Sequence, residues 1–332
     1  MFADAPPPAQ VAALSSLQLA GQRVVFAFAG TEIPRNLRLR VQRGEAAGVL
    51  LFGANVQSVS QVRRITRELQ AIHRPAGLNV PLIVMTDQEG GQVKRLPGAP
   101  TKAPPQMTSV ADARAQGRAT ARTLTAAGVN VDLAPVVDVA RPGSQMEHEG
   151  RSFGRSTATV SARARGFVSG LRAGGVAATA KHFPGFGAAS ANTDNAAVTI
   201  RSSLDTLRRV DEPPFTGAGT QLVMVSSAIY PALEREPALL SRRVVTGELR
   251  DHLGFTGVTV TDSLNATALV HEPSVLQRAV RAGDDLLLFT TYDSSAHAVE
   301  RIAKLLRAGR LNRTTAQASV ARILALRKGL PR

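Results

Sequence analysis

Residues 240–264 read LSRRVVTGELRDHLGFTGVTVTDSL and contain one helix followed by one strand. The first half has the apolar spacing of an amphipathic helix, with Ser241 as a start signal and Gly254 as an end signal. The second half is β-branched over 258–261 and ends in the polar residue Asp262. A helix, a buried strand and a polar strand end therefore follow one another directly.

Short apolar runs of this kind recur along the chain and predict eight strands. Most of the runs are continuous rather than alternating, as expected for strands that are buried on both faces. Segments with helical periodicity lie between them, for example 110–127 and 156–174. The eight runs are 23–28, 48–52, 82–86, 130–134, 176–180, 222–226, 258–262 and 285–289.

Strands that alternate with helices form a parallel sheet, and eight such units in 332 residues predict an α/β protein with a single (β/α)8 TIM-type barrel. The alternative is an open doubly wound sheet. No G-x-G-x-x-G follows the first strand, where a dinucleotide-binding fold places it. We expect residues 1–16 to be an N-terminal Pro/Ala-rich extension and residues 17–332 to form the barrel.

The charge of the chain is strongly positive, with 40 Lys and Arg against 25 Asp and Glu, a formal net charge of +15. Such a charge can indicate nucleic acid or an anionic wall polymer as a partner. The Arg residues are scattered through predicted helices, and they do not alternate with aromatic residues as in single-strand-binding proteins. We therefore interpret them as solvated surface cations and expect no nucleic-acid partner.

The composition also limits the compartment and the chemistry. Cysteine is absent, which excludes disulfides, zinc–thiolate sites and thiol catalysis. No apolar run approaches the ~18 residues of a membrane-spanning helix, so we expect no integral membrane segment. The start, MFADAPPPAQ, lacks a signal peptide but resembles the spacer that follows one. Localisation stays open, with export slightly favoured over the cytoplasm.

Polar residues follow most of the predicted strands. Because the carboxyl ends of barrel strands meet at one mouth, these residues are expected to converge there. A Lys at the end of an apolar strand also requires a carboxylate or a ligand oxygen as compensation. Asp138 can equally be a helix cap or an ion-pair partner, and Glu89 an acceptor for loop amides. The residues at strand ends are Asp87, Glu89, Asp138, Lys181, His182 and Asp262.

Histidine and carboxylate spacings give no sign of a metal centre. No H-E-x-x-H or similar ligand spacing occurs, so we expect no metal site and no cofactor. Four of the six histidines fall in predicted helices or loops and are interpreted as ordinary surface residues. They are His73, His252, His271 and His297.

Several motifs over almost the whole chain resemble glycoside hydrolase family 3, in particular its single-barrel bacterial β-N-acetylglucosaminidases that trim muropeptides. DQEGGQVKRL at 87–96 is similar to the family's D-Q-E-G-G-R-V-x-R, with Gln92 where Arg is usual. KHFPGFG at 181–187 resembles K-H-F-P-G-H-G, and residues 240–264 resemble the segment that ends in the nucleophile. Further matches are GVLLFGANV at 48–56, VNVDLAPVVDV at 129–139 and GRSFG at 150–154.

The resemblance implies a retaining, exo-acting β-glycosidase that hydrolyses terminal N-acetylglucosamine residues from a small carbohydrate or a peptidoglycan fragment. Asp262 falls on the family's nucleophile. Lys181 and His182 are adjacent in one strand, so both can face the sugar only if the backbone bends there. The residues that the resemblance assigns to the sugar subsite are Asp87, Arg95, Arg151, Lys181 and His182.

One loop departs from the family pattern. The family carries its acid/base His in D-S-H after K-H-F-P-G-H-G, and here those positions are Asn192, Thr193 and Asp194. We expect Asp194 to be the acid/base, with a pKa raised by loop closure. Gly185 and Gly187 suit a moving lid. The alternatives are a noncatalytic or impaired sugar-binding relative and a β-glucosidase-like enzyme.

Overall fold

The structure is a computed structural model that describes residues 8–332, so residues 1–7 of the predicted extension lie outside the described residues. Eight parallel strands close into a barrel in which each strand pairs with its neighbours in the chain and the last pairs with the first. The prediction of a (β/α)8 barrel is confirmed. The strands are β1 (Val24–Phe26), β2 (Gly48–Leu51), β3 (Ile83–Thr86), β4 (Val131–Asp132), β5 (Ala177–Phe183), β6 (Leu222–Val225), β7 (Val258–Ser263) and β8 (Leu286–Leu288).

Helices connect the strands around the outside of the barrel. Two of the segments are π-helical, Leu207–Asp211 and Arg243–His252. Between Ala9 and Arg332, no helix has both the length and the hydrophobicity needed to span a bilayer. The α-helices are Ala9–Ala12, Ser16–Gly21, Arg35–Gln42, Val59–Ala71, Val110–Ala127, Gln145–His148, Thr157–Ala173, Leu204–Thr206, Pro213–Gly217, Val275–Ala282, Tyr292–Arg307 and Arg313–Lys328.

Short elements complete the connections. Two antiparallel hairpins pair Gln88–Gly90 with Val93–Lys94 and Ile229–Tyr230 with Glu234–Pro237. The first hairpin follows β3 directly, and the second follows β6, so both extend from the carboxyl ends of barrel strands. Single 3₁₀ turns occur at Gly53–Asn55, Pro104–Gln106, Ala238–Leu240 and Thr267–Leu269.

The helix predicted over 110–127 illustrates how local chemistry sets the boundaries. The Ser109 side chain accepts a hydrogen bond from the Asp112 amide at 3.1 Å, which satisfies one of the unpaired amides of the first turn. Asp112 itself lies in that turn, where the helix dipole favours a negative charge. Gly128 ends the helix with a φ of +74°, a left-handed conformation that glycine adopts without strain.

The barrel interior is filled by alternate side chains of the strands, as the period of two in a strand requires. Ile323 from the last helix and Leu330 join this interior cluster. Val24 and Phe26 of β1 belong instead to the larger cluster between strands and helices, while Val25 faces inward. The strand residues of the interior cluster are Val25, Leu50, Ile83, Met85, Val131, Ala177, Leu222, Met224, Val258, Val260, Leu286 and Leu288.

Three arginines outside the cavity lining described below are buried, and for them the interpretation as solvated surface cations is wrong. Arg23, Arg74 and Arg327 are each 2% exposed or less. Their guanidinium groups donate to backbone carbonyls, for example Arg74 Nη1 to Ile72 O at 2.6 Å and Arg327 Nε to Pro81 O at 2.7 Å. Burial lowers the pKa of Arg74 to about 10 and that of Arg327 to about 9. These side chains stabilise chain turns in the interior instead of offering charge to a partner.

Candidate active site

A cavity of about 360 Å³ opens at the carboxyl ends of the barrel strands. Strand ends, the hairpin after β3 and the loop that follows β5 all contribute to its wall. Every residue that the sequence assigned to catalysis or to the sugar subsite lines this one cavity. These residues are Asp87, Arg95, Arg151, Lys181, His182, Asp194 and Asp262.

The hairpin after β3 holds Asp87 and Arg95 in place. The Gln88 side chain is buried beneath it and accepts from the amides of Arg95 at 3.1 Å and Leu96 at 3.0 Å. Gly90 has a φ of +103°, and a Cβ there would lie 2.4 Å from the Lys102 carbonyl oxygen. The turn therefore requires a glycine at this position for both conformation and space.

Glu89 is buried behind the cavity lining and joins two cations that belong to that lining. Arg151 donates to it through Nε and Nη2, each at 2.8 Å, and Lys181 Nζ lies 2.7 Å from Oε1. Burial by itself would raise the pKa of Glu89, but the charges of Arg151 and Lys181 outweigh burial and lower it to about 2. Glu89 is thus a fixed negative charge that orients two cations. The sequence also allowed Glu89 to accept from loop amides, but its observed partners are the side chains of Arg151 and Lys181.

Lys181 also binds Asp87, so the carboxylates and cations form one network. The Lys181 Nζ to Asp87 Oδ1 distance is 2.7 Å, and Arg95 Nη2 lies 3.8 Å from Asp87 Oδ2. Arg151 Nη1 contacts Glu149 Oε2 at 3.0 Å. Charged hydrogen-bonding groups held in fixed positions are well suited to bind the hydroxyl groups of a sugar.

Lys181 and His182 both line the cavity, and the backbone bend that this requires is present. The pairing of β5 with β6 shifts register between Ala180 and Phe183, so the strand is irregular where Lys181 and His182 lie. The strand therefore continues past the bend while both side chains face the cavity.

Asp138 positions His182. Its Oδ2 lies 2.8 Å from His182 Nδ1, and its Oδ1 accepts from the backbone amides of His182 at 3.1 Å and Phe186 at 2.6 Å. A carboxylate on Nδ1 places the ring proton there and leaves Nε2 for the cavity. The sequence left a helix cap or an ion-pair partner open for Asp138. Its observed partners are the His182 ring and two backbone amides, so it is a hydrogen-bond acceptor that holds the strand end.

Asp262 ends the straight part of β7. Its Oδ1 accepts a hydrogen bond from the Ser263 amide at 2.8 Å, which orients the carboxylate on a rigid strand end. The register with β8 shifts between Val260 and Ser263, so the pairing is irregular where Asp262 lies. Asp262 lines the cavity together with Ser263.

Asp194 lies on the loop after β5, at the mouth of the cavity. The Asn192 side chain accepts from the Asp194 amide at 2.9 Å, and the Thr193 carbonyl accepts from the Ala268 amide at 3.1 Å. Within residues 8–332, no group donates a hydrogen bond to the Asp194 carboxylate. Partial burial raises its pKa, and the negative charge of Asp262 raises it further.

The glycines at the start of this loop allow close packing. A Cβ on Gly187 would lie 1.9 Å from the Val139 carbonyl oxygen. The Gly187 carbonyl in turn accepts from the Arg141 amide at 3.0 Å. The segment around Gly187 is therefore held against the loop that follows β4.

The ion network makes a direct prediction for Glu89. Glu89→Gln leaves Arg151 and Lys181 buried without their shared negative charge, so the free energy of unfolding should fall by roughly 3–5 kcal/mol. Denaturant unfolding of the purified protein measures this. Glu68→Gln is the matched control, because Glu68 forms only exposed ion pairs and its loss should cost less than about 1 kcal/mol. Similar losses in the two variants would contradict the role given to Glu89.

The chain is similar to known proteins over most of its length. The chain is 38% identical over 329 residues to an "uncharacterized secreted glycosyl hydrolase" of Arthroderma benhamiae, covering 94% of this chain and 93% of that protein. It is 32% identical over 287 residues to a β-hexosaminidase of Nitrosomonas eutropha, covering 81% and 80% of the two chains.

A solved structure of a related enzyme has the same fold. A glycoside hydrolase family 3 β-N-acetylglucosaminidase from Paenibacillus sp. superposes with a TM-score of 0.89 at 32% identity. The alignment covers 96% of this chain and 63% of that one, so the present chain spans less than two thirds of that enzyme. The family profile described as the glycosyl hydrolase family 3 N-terminal domain matches residues 14–326. The chain therefore belongs to glycosyl hydrolase family 3 and is a glycoside hydrolase.

Proposed function

We propose that this glycosidase is a retaining, exo-acting enzyme that removes terminal β-linked N-acetylglucosamine, with Asp262 as nucleophile and Asp194 as acid/base. The observation that carries the proposal is electrostatic. Both carboxyl groups line one cavity, and the charge of Asp262 contributes to the raised pKa of Asp194. A retaining glycosidase needs two carboxyl groups at one cavity, one as nucleophile and one as acid/base.

The reaction proceeds in two steps. Asp262 attacks the anomeric carbon and forms a glycosyl ester, while Asp194 gives its proton to the departing glycosidic oxygen. Asp194 then removes a proton from water, the water oxygen attacks the anomeric carbon, and Asp262 leaves as the carboxylate. The proton returns to Asp194, so the enzyme is restored. The amide of Ser263 keeps one oxygen of Asp262 oriented throughout.

The other acidic residues near the cavity are less suited to donate a proton. Asp87 and Glu149 line it, but Lys181 binds the first and Arg151 binds the second. Glu147 is not among the described residues that line the cavity. A hydrogen bond from the Gly143 amide, together with Arg155, lowers the pKa of Glu147.

The sugar subsite is assigned to the cation and carboxylate network. Lys181 and Arg151 can donate to sugar hydroxyls, Asp87 can accept from them, and His182 presents Nε2. Arg95 completes this set at the rim, where its side chain is about one-third exposed. Groups held by their own ion pairs lose little freedom when a sugar binds, which favours affinity.

The N-acetylglucosamine specificity rests on the Paenibacillus relative, which is named a β-N-acetylglucosaminidase. The Nitrosomonas relative is named more broadly, as a β-hexosaminidase. Gln92 stands at the cavity wall where the family has Arg, and its Nε2 donates to the Glu149 carbonyl at 2.8 Å. This difference makes a β-glucoside the competing substrate class.

A panel of aryl β-glycosides tests both parts of the proposal. We expect the highest kcat/KM on the N-acetylglucosaminide. A higher kcat/KM on the β-glucoside would change the proposed substrate class and leave the proposed mechanism unchanged. A 2-fluoro aryl glycoside should trap the enzyme as a covalent adduct, and mass spectrometry of its peptides should place the sugar on Asp262. An absence of both turnover and adduct with every sugar would identify an impaired binding relative.

A further inference from the structure

Two π-helical segments on the outside of the barrel bring three metal-ligating side chains together. Glu212 directly follows Leu207–Asp211, whereas Glu248 and His252 lie one turn apart in Arg243–His252. One ligand atom from each of the three lies within 4.8 Å of the others. None of the three lines the sugar cavity.

Glu212 is the member that requires a partner. The residue is fully buried, and both carboxyl oxygens lack a hydrogen-bond donor among the described residues. A buried carboxyl without a donor is costly unless a proton or a cation neutralises it.

The ion pair between Arg208 and Glu248 does not use all the lone pairs of the Glu248 carboxylate, so Glu248 can also bind a cation. Arg208 binds Glu248 through Nε to Oε1 at 2.7 Å and Nη2 to Oε2 at 2.9 Å. Each carboxylate oxygen has a second lone pair, so Glu248 can keep Arg208 and still bind a metal. His252 Nε2 lies 3.7 Å from Glu248 Oε1, and nearly half of its side chain is exposed, which provides an entry path from solvent.

We propose that Glu212, Glu248 and His252 form a binding site for a divalent transition-metal ion of the Zn²⁺ type. Two carboxylates and one imidazole are ligands that Zn²⁺ accepts, with water as the fourth ligand. The exposed His252 side chain moves inward by the small distance that coordination at about 2.0–2.2 Å requires. A bound cation balances the negative charge of the two neighbouring carboxylates.

The proposed metal site lies between two chain segments that are adjacent in sequence to the proposed catalytic residues. Residues 204–217 follow the loop that carries Asp194, and Arg243–His252 leads into β7, which carries Asp262. A bound ion therefore joins the two connections outside the barrel. Its binding is expected to stabilise the fold without contacting the sugar.

Isothermal titration of the chelator-treated, tag-free full chain with ZnCl₂ tests the site. We expect one Zn²⁺ per chain with a micromolar or lower Kd. Glu212→Gln and His252→Ala should each weaken the binding by on the order of 100-fold, because each removes a ligand. His73→Ala is the matched control, since His73 is an exposed histidine outside the cluster, and it should leave the Kd unchanged.

Thermal unfolding provides an independent readout at pH 8. In EDTA, Glu212→Gln should have the higher Tm, because it removes a buried carboxyl that has no donor. With excess Zn²⁺ only the wild type gains stability, so the order should reverse. Tight Zn²⁺ binding that survives both Glu212→Gln and His252→Ala would overturn the proposal, as would no binding to the wild type. His252→Ala alters an exposed side chain, so the test holds even if the buried variant misfolds.

Discussion

Asp262→Asn is expected to lower kcat by roughly 10³–10⁶-fold, because an amide cannot form the glycosyl ester on which the proposed mechanism depends. The substitution keeps the size of the side chain, and its remaining oxygen can still accept from the Ser263 amide. The fold and the Tm should therefore change little. Steady-state rates on an aryl N-acetyl-β-glucosaminide, with Tm measured on the same samples, separate the loss of chemistry from a loss of structure.

Asp205→Asn is the control for this experiment. Asp205 is a mainly exposed aspartate paired with Arg209 far from the cavity lining, so its substitution should leave kcat near the wild-type value. Near wild-type turnover in Asp262→Asn would move the nucleophile elsewhere. A trapped sugar on a peptide that lacks Asp262 would lead to the same conclusion.

Asp194→Ala should give a loss that depends on the leaving group. Substrates with good leaving groups hardly need protonation, so their rate of glycosyl-enzyme formation should fall little. Natural glycosides should slow by on the order of 10²–10⁴-fold, because a general acid contributes about that much. The Asp194 carboxylate receives no hydrogen bond from the described residues, so its removal should leave the fold intact. A series of aryl glycosides with increasing leaving-group pKa measures the effect.

Azide distinguishes the acid/base role from a structural one. Azide attacks the glycosyl-enzyme without base assistance, so it should restore turnover of activated substrates in Asp194→Ala and yield a β-glycosyl azide. The same salt should not accelerate the wild type or Asp262→Asn. Equal losses on good and poor leaving groups, with no rescue, would assign the proton transfer to another group. Glu149 would then be tested first, since it lines the cavity, followed by Glu147 and Asp293.

The pH dependence follows from the protonation state that each step needs. Asp194 must hold a proton in the free enzyme, and both partial burial and the Asp262 charge raise its pKa. The kcat/KM for poor leaving groups should therefore fall as the pH rises through that pKa. For activated substrates this alkaline decrease should be weaker, because protonation of the leaving oxygen contributes little.

The order of elements follows from local sequence alone. Apolar runs, caps and glycines act over a few residues, which is why all eight strands and the helix ending at Gly128 occur where their patterns predict them. Polar residues just after strands become neighbours once a barrel closes, because all parallel strands end at the same mouth. The convergence of Asp87, Lys181 and Asp262 in one cavity can thus be predicted from the sequence alone.

The tertiary structure alone decided which groups pair. Glu89 meets Arg151 across 62 residues of chain, and His182 meets Asp138 across 44, distances over which no local spacing specifies a contact. The burial of Arg327 likewise depends on carbonyls near Pro81 that lie 246 residues away. His252 was interpreted from the sequence as an ordinary surface residue, and only the packing of two connections brings it close to Glu212 and Glu248. Pairing energies depend on burial and distance, and both exist only after the chain has folded.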